Sequence, residues 1–311
     1  NYGVVRLNTD GTLDTSFGDL VGSSRTGKAL LDLGTNTPDG ANSVVIQTDG
    51  KILIAGYTLA QPAGSTGASY NYGVVRLNAD GSLDTSFGDL VGSSRTGKAL
   101  LDLGTNTYDL AYSVATQVDG KILIAGNTDA QPSGGTGTSP NYGVVRLNTN
   151  GTLDTTFGSS GKALLNLGAN MSDAAYSVVT QTDGKILIAG NTDAQPSGGT
   201  GYFLNCGIVR LNADGTLDTT FGDLVGSSRT GMALLDLGTN TNDLPYSVVT
   251  QADGKILIAG LTDAQPAGGT GTSLNYGVVR LNTNGTLDTT FGDLVGSSRT
   301  GKTLLDLGTN T

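Results

Sequence analysis

A segment that returns at a nearly fixed interval constrains this chain more than any single motif. NYGVVRLN stands at Asn1, Asn71, Asn141 and Asn275, and NCGIVRLN at Asn205, so the copies lie 70, 70, 64 and 70 residues apart. A second block, SVVIQTDGKILIAG at Ser43, returns in close variants at Ser113, Ser177 and Ser247. Length alone, 311 residues, suggests two domains. A unit copied in tandem makes one repeat architecture over 1–311 instead. The repeats are cut at 1–70, 71–140, 141–204 and 205–274, with a partial copy at 275–311. The third copy lacks six residues between Phe157 and Lys162, where the others read FGDLVGSSRTGK. That stretch is expected to be a dispensable surface loop.

Each copy reads as β-structure. Two β-rich runs, Ser43 to Gln47 and Lys51 to Ala55, flank Asp49-Gly50, a strong hairpin signal. The turns at Asp119-Gly120, Asp183-Gly184 and Asp253-Gly254 are its equivalents. Tyr72 to Leu77 runs into Asp80-Gly81 and then Leu83 to Phe87, a second hairpin-like unit, and Lys28 to Leu33 is a further strand candidate. Gly-, Ser- and Thr-rich stretches such as Gln61 to Ser69 read as loops. No apolar i, i+3, i+4, i+7 pattern survives the 49 glycines, so helix is not expected. The expected fold is all-β, built from four-stranded antiparallel sheets of about 70 residues each, with a β-solenoid-like array as the alternative.

At VVRLNTDGTLDTSFG and QTDGKILIAG the chain resembles the delta-60 repeat family. The likeness covers every copy, including Gln117 to Gly126 with Val144 to Gly158 and Gln181 to Gly190 with Val209 to Gly222. It implies a tandem-repeat β-propeller of the kind found in large bacterial secreted and surface proteins, and carries no shared enzymatic role. The period here is about ten residues longer than the family's name implies, and the surplus sits in the DLVGSSRTG and QPSGGTG stretches.

Composition narrows the chemistry. There is no His, one Cys, and all 27 acidic residues are Asp, so the commonest general acids and bases and the usual zinc sets are missing. One Cys excludes an internal disulfide framework. A net charge of −10 argues against nucleic acid and anionic membrane surfaces, and no apolar run approaches the ~20 residues of a membrane-spanning helix.

Several motifs nonetheless invite a functional reading. Gly296, Gly301, Lys302 and Thr303 match the phosphate-cradling loop GxxxxGK[ST], which needs a preceding strand and a following helix. Here Leu304 to Gly308 reads as a strand, the fourth copy has Met232 for the lysine, and a nucleotide-free surface loop is expected. Asn78-Ala79-Asp80-Gly81-Ser82-Leu83-Asp84, recurring as Asn8 to Asp14 and Asn212 to Asp218, has the spacing of part of a calcium loop. Its first ligand position is Arg76 (Arg6 and Arg210 in the other copies), and Asn150 and Asn284 replace a carboxylate elsewhere. An Arg–Asp ion pair beside the turn is therefore expected. All nine Arg fall in the columns led by Arg6 and Arg25, and all eight Lys in those led by Lys28 and Lys51. Cys206 takes the column of Tyr2, Tyr72, Tyr142 and Tyr276 and reads as a tolerated substitution. Asn150, Asn170 and Asn284 fit the glycosylation pattern, which arises often by chance. No catalytic, cofactor-binding or metal residue is assigned, and no cofactor is expected.

The copies differ at Pro38 to Asn42 against Tyr108 to Tyr112, Ser172 to Tyr176 and Asn242 to Tyr246, at Tyr57 and Leu59 against Asn127 and Asp129, and at Ala68 to Tyr70 against Tyr202 to Leu204. These are expected to be loops, where a binding surface would lie. The functional expectation is a non-enzymatic structural or adhesive module at the bacterial cell surface or outside the cell. Its expected partner is itself, head to tail, or the neighbouring repeats of a longer chain, with the five first blocks and four second blocks leaving a strand edge open. The alternative is a ligand-binding propeller, for glycans for example, that uses the variable loops.

Overall fold

A computed structural model of the chain describes residues 1–65, 67–135, 137–168, 171–197, 199, 201–266 and 273–306. Among the described residues there is no helix, and strands joined by turns make the fold. The chain divides into two compact units, Asn1–Ala130 with Gly143–Lys162, and Gln131–Tyr142 with Ala163–Thr311.

The recurring element is a four-stranded antiparallel sheet. In the first unit Asp39–Ile46, Ile52–Thr58, Asn71–Leu77 and Lys98–Leu101 pair in that order. The second unit holds two sheets of the same order. One runs from Asp173–Thr180 through Ile186–Thr192 and Asn205–Leu211 to Met232–Leu235, the other from Asp243–Thr250 through Ile256–Thr262 and Asn275–Leu281 to Lys302–Leu305. A further sheet orders Asp109–Thr116, Ile122–Thr128, Asn141–Leu147 and Lys162–Leu165. Tyr2–Val5 pairs with Lys28–Leu31 alone. All-β structure and four-stranded antiparallel sheets are thus as the sequence implied.

Apolar residues run along the Ile52–Thr58 and Asn71–Leu77 strands without alternation, the pattern of strands covered on both faces. In the second unit Leu187, Ala189, Cys206, Ile208 and Leu235 of one sheet pack on Val248, Ile256, Ile258, Val279 and Leu281 of the next. In the first unit Tyr2, Ala29 and Leu31 meet Ile52, Ile54, Val75 and Leu77 in the same way. At about 25 cal/mol per Å² of apolar surface, such sheet-on-sheet layers are the main favourable contribution to stability.

Three expectations need correction. Leu83 to Phe87 is not a strand: Leu83 makes one bridge to Leu77, and a turn follows, closed by Phe87 N–H donating to the Asp84 carbonyl at 3.0 Å. The carboxylate of Asp84 then bonds the backbone two residues on, at Ser86, which draws the chain out of the ladder. The DLVGSSRTG stretch is not a featureless loop. It forms a two-residue ladder, Leu20–Val21 on Ser24–Arg25, repeated at Leu90–Val91, Leu224–Val225 and Leu294–Val295. Finally, the variable segments at Asp39 to Asn42 and Asp109 to Tyr112, with Tyr57 and Asn127 opposite, lie within strands. A β-bulge between Ala41 and Ser43, and between Ala111 and Ser113, interrupts the ladder, so sequence alternation breaks where the strand continues.

The Asp-Gly turns close as five-residue connections between Ile46 and Ile52, with Gln47 N–H donating to the Lys51 carbonyl and Gly50 at φ +82°. The glycines after Phe17, Phe87 and Phe221 answer a close approach: a Cβ on Gly18, at φ +90°, would lie 2.0 Å from the Lys28 carbonyl oxygen.

Candidate functional site

The residues with the most chemistry converge on one knot per repeat. Arg76 projects from the Asn71–Leu77 strand onto the turn that follows it, and its Nε donates to Asp84 Oδ2 at 2.7 Å. Its guanidinium carbon lies 4.5 Å from the centroid of the Phe87 ring, a stacked geometry that planar Arg supplies and Lys does not. Lys51, just past the Asp-Gly turn, reaches the same carboxylate at 3.0 Å. Arg76 Nη1 donates to the Thr149 carbonyl at 2.5 Å, one repeat along. Arg210 with Asp218, Phe221, Lys185 and the Thr283 carbonyl repeats the knot in the second unit.

Burial alone would raise the Asp84 carboxyl. The Ser86 side chain and backbone, the Lys51 ammonium and the Arg76 charge outweigh it and hold the group well below the usual carboxylate range. Asp154 and Asp218 are held low in the same way. The calcium-like spacing thus builds an ion-paired knot. Asp80 Oδ1 accepts from the Ser82 backbone and hydroxyl, Asp84 Oδ1 accepts from Ser86, and Arg25 reaches Asp80.

The phosphate-loop match is divided between two elements. Gly296 turns the small Leu294–Val295/Ser298–Arg299 hairpin, whereas Lys302 and Thr303 open a strand, not a helix. The Lys302 ammonium donates to the Asp236 carbonyl. Its counterpart Lys162 donates to the Asp102 carbonyl at 2.6 Å. Asn150 Oδ1 accepts from the Thr152 amide and hydroxyl, and Asn284 Oδ1 from those of Thr286. Asn170 lies outside the described residues.

Tyr2 hydroxyl donates to the Gly73 carbonyl at 3.0 Å, Tyr72 to Gly143 at 3.0 Å and Tyr142 to Gly207 at 3.1 Å. Cys206 in this column cannot reach Gly277, and a cavity of about 10 Å³ lies against it, walled by Leu237, Ile258, Gly277 and Val279. Burial pushes the Cys206 thiol well above its ordinary value, which removes it as a nucleophile.

Sequence reasoning missed a second carboxylate column. Asp109 begins its strand fully buried, and accepts from the Leu103 amide at 2.8 Å and the hydroxyls of Thr107 and Thr128. Burial raises its carboxyl to about 7, against the lowering effect of those donors. Asp173 and Asp243 are raised to about 6, also by burial. The signal was present as an Asp at 39, 109, 173 and 243, each paired in the ladder with a Thr at 58, 128, 192 and 262. A carboxyl titrating near neutrality is a common mark of catalysis, but this one is sealed from solvent and fastens the start of a strand.

The sequence profile of the family described as "Domain of unknown function (DUF5122) beta-propeller" matches residues 1–17, 47–87, 117–157, 181–221 and 251–291, more than half of the chain. The chain belongs to this β-propeller repeat family. Each full matched segment of the propeller repeat contains one whole knot, Lys51, Arg76, Asp84 and Phe87 in the first case, and the segments that end at 87, 221 and 291 exclude the small hairpin that follows. A comparison with curated proteins finds no match.

Proposed function

We propose that this chain is a non-enzymatic structural module of the bacterial cell exterior, which assembles like on like and holds its variable segments at fixed intervals. The observation that carries this reading is where the charged columns go. Arg76 and Arg210 meet an Asp, a Phe and a carbonyl one repeat along, and Lys51 and Lys185 meet the same Asp. Chemistry-bearing residues that recur in register and tie one repeat to the next build a scaffold. Placement outside the cell follows the resemblance to bacterial secreted and surface repeats. Sedimentation velocity over a concentration series tests the assembly: reversible growth of the purified 311-residue chain supports it, and one monomeric species throughout refutes it.

One observation favours a glycan-binding reading as well. A recess of about 240 Å³ in the second unit is lined by Gln195, Phe203, Asp236, Asn240 and Thr241. Tyr202, in the same variable stretch, is 96% exposed. Aromatic faces beside amide, hydroxyl and carboxylate groups suit a saccharide. A glycan array with wild type and Tyr202→Ala decides it: selective hits lost in the variant favour this reading, and none count against it.

A further inference from the structure

Three junctions between copies share one backbone frame. Gly18 N–H donates to the Asp80 carbonyl at 2.9 Å, Gly88 N–H to that of Asn150 at 2.9 Å and Gly222 N–H to that of Asn284 at 3.0 Å. Into this frame the small hairpin sends an arginine, whose Nη1 is tied to the carbonyl of the same glycine: Arg25 to Gly18 at 2.6 Å, Arg95 to Gly88 at 2.5 Å, and Arg229 to Gly222. What the second guanidinium nitrogen meets is where the junctions differ.

At the first junction Arg25 Nη2 donates to Asp80 Oδ2, while Asp80 Oδ1 accepts from the Ser82 amide and hydroxyl. Asn150 and Asn284 hold their Oδ1 in the same bonding, to Thr152 and Thr286. A backbone N–H has to be met by the oxygen and not the nitrogen of the side-chain amide. Nδ2 therefore stands where Asp80 has Oδ2, and a guanidinium faces an amide nitrogen, both of them donors only. Among the described residues neither Arg95 nor Arg229 has a carboxylate within 4.0 Å. Their charges act on Asp89 and Asp223 through space, and those carboxylates accept from the Leu100 and Leu234 amides.

We propose that the Arg95–Asn150 and Arg229–Asn284 pairs are oxyanion sites, each taking one carboxylate or sulfate oxygen between the guanidinium and the side-chain amide. Such an oxygen accepts from both nitrogens and supplies the negative charge that Asp80 supplies to Arg25, in a charge-assisted hydrogen bond. The first junction also shows that the place is within reach of an outside anion, since the side chains of Arg25 and Asp80 are both partly exposed. A chain of net charge −10 repels anions in general, so two fixed donors and one guanidinium give weak, site-specific capture and not a broad anion-binding surface.

The test is a titration of the 311-residue protein with sodium sulfate, followed by NMR on the side-chain amides of Asn150 and Asn284, beside a sodium chloride series of matched ionic strength. Saturable shifts of both amides are expected, half complete at about 1–10 mM sulfate. Asn150→Asp combined with Asn284→Asp gives each arginine its own carboxylate and is expected to leave the Arg95 and Arg229 Nε resonances unmoved by sulfate. Asp80→Asn is expected to add a third saturable site, at Arg25, a gain that loss of folding cannot imitate. Amides that follow sulfate no further than chloride, a double variant whose arginines still respond, or an Asp80→Asn protein whose Arg25 stays silent overturns the sites. Sodium glucuronate separates two sources of the oxygen. A midpoint no lower than that of sulfate assigns the sites to small free anions, and one lower by about tenfold or more assigns them to an acidic saccharide.

Discussion

Tyrosine and cysteine at one column measure what a single side chain contributes to a repeat junction. Tyr142 fills the space against Leu167 and donates to Gly207, while Cys206 leaves about 10 Å³ open at the next junction. Cys206→Tyr is expected to raise the thermal midpoint, by about 1–2 kcal/mol of stability, since it closes a cavity and adds a hydrogen bond to a buried carbonyl. A lower midpoint in differential scanning calorimetry means that the ring does not fit and overpacking dominates. The knot sets a larger scale. Arg210→Ala strips Asp218 of a partner in a buried site, and a loss of about 3–5 kcal/mol is expected from chemical denaturation. Arg210→Lys recovers only part of it, because an ammonium keeps the charge but neither the stack on Phe221 nor the fork.

At the scale of the element, the small hairpin is fastened and still removable. Asp89 Oδ2 accepts from the Leu100 amide at 2.9 Å, and Asp223 Oδ2 from the Leu234 amide at 2.8 Å, so the hairpin holds the strand after it. The shorter third copy keeps the bond that matters for the chain path: Gly161 N–H donates to the Phe157 carbonyl at 2.8 Å, as Gly97 does to Phe87. Replacing Gly88–Gly97 by the GSSG connection of Gly158–Gly161 is expected to change stability by less than about 1 kcal/mol. Asp89→Ala in the full-length hairpin removes the same acceptor from the solvent-exposed Leu100 amide, and is likewise expected to cost less than about 1 kcal/mol. Urea titrations of the two variants check both, and a loss above about 2 kcal/mol in either means that the hairpin is not dispensable. The strands were legible in sequence wherever an apolar run was bounded by an Asp-Gly turn, as at Ile52–Thr58. They were not legible where the bulge at Ala41/Ser43 broke the alternation, nor where Asp84 and Ser86 bent the chain away. The knot was half legible: Arg6, Arg76 and Arg210 announced an ion pair by displacing a calcium ligand. Their reach to a carbonyl one repeat along needed the third dimension. The buried Asp109 column went unread because a strand-leading Asp beside Gly and Thr looks like a loop until its depth is known.

For the whole molecule, two carboxylate columns pull stability in opposite directions with pH. Asp109, Asp173 and Asp243 have folded-state values raised to about 7, 6 and 6 from 3.8. The folded state thus holds these protons more tightly, and the stability they contribute is present below pH 3.8 and lost as pH rises toward 7. Asp84, Asp154 and Asp218 are depressed, and theirs is present above 3.8 and lost on further acidification. The thermal midpoint is expected to peak near pH 4–5 and to fall by roughly 5 °C or more by pH 8. Asp109→Asn is expected to flatten that descent. A midpoint that climbs steadily from pH 5 to pH 8 refutes the assignment.

The Tyr hydroxyls all point the same way along the sequence, from Tyr2 to Gly73, Tyr72 to Gly143 and Tyr142 to Gly207, and Arg76 and Arg210 reach forward to Thr149 and Thr283 in the same sense. Each junction therefore has a donor side and an acceptor side. A gene that gains or loses one whole period by slippage restores a donor against an acceptor at the new join, while a fractional change sets mismatched sides together. Whole repeats are thus the interchangeable units of this chain, since a donor side always meets an acceptor side where one follows another.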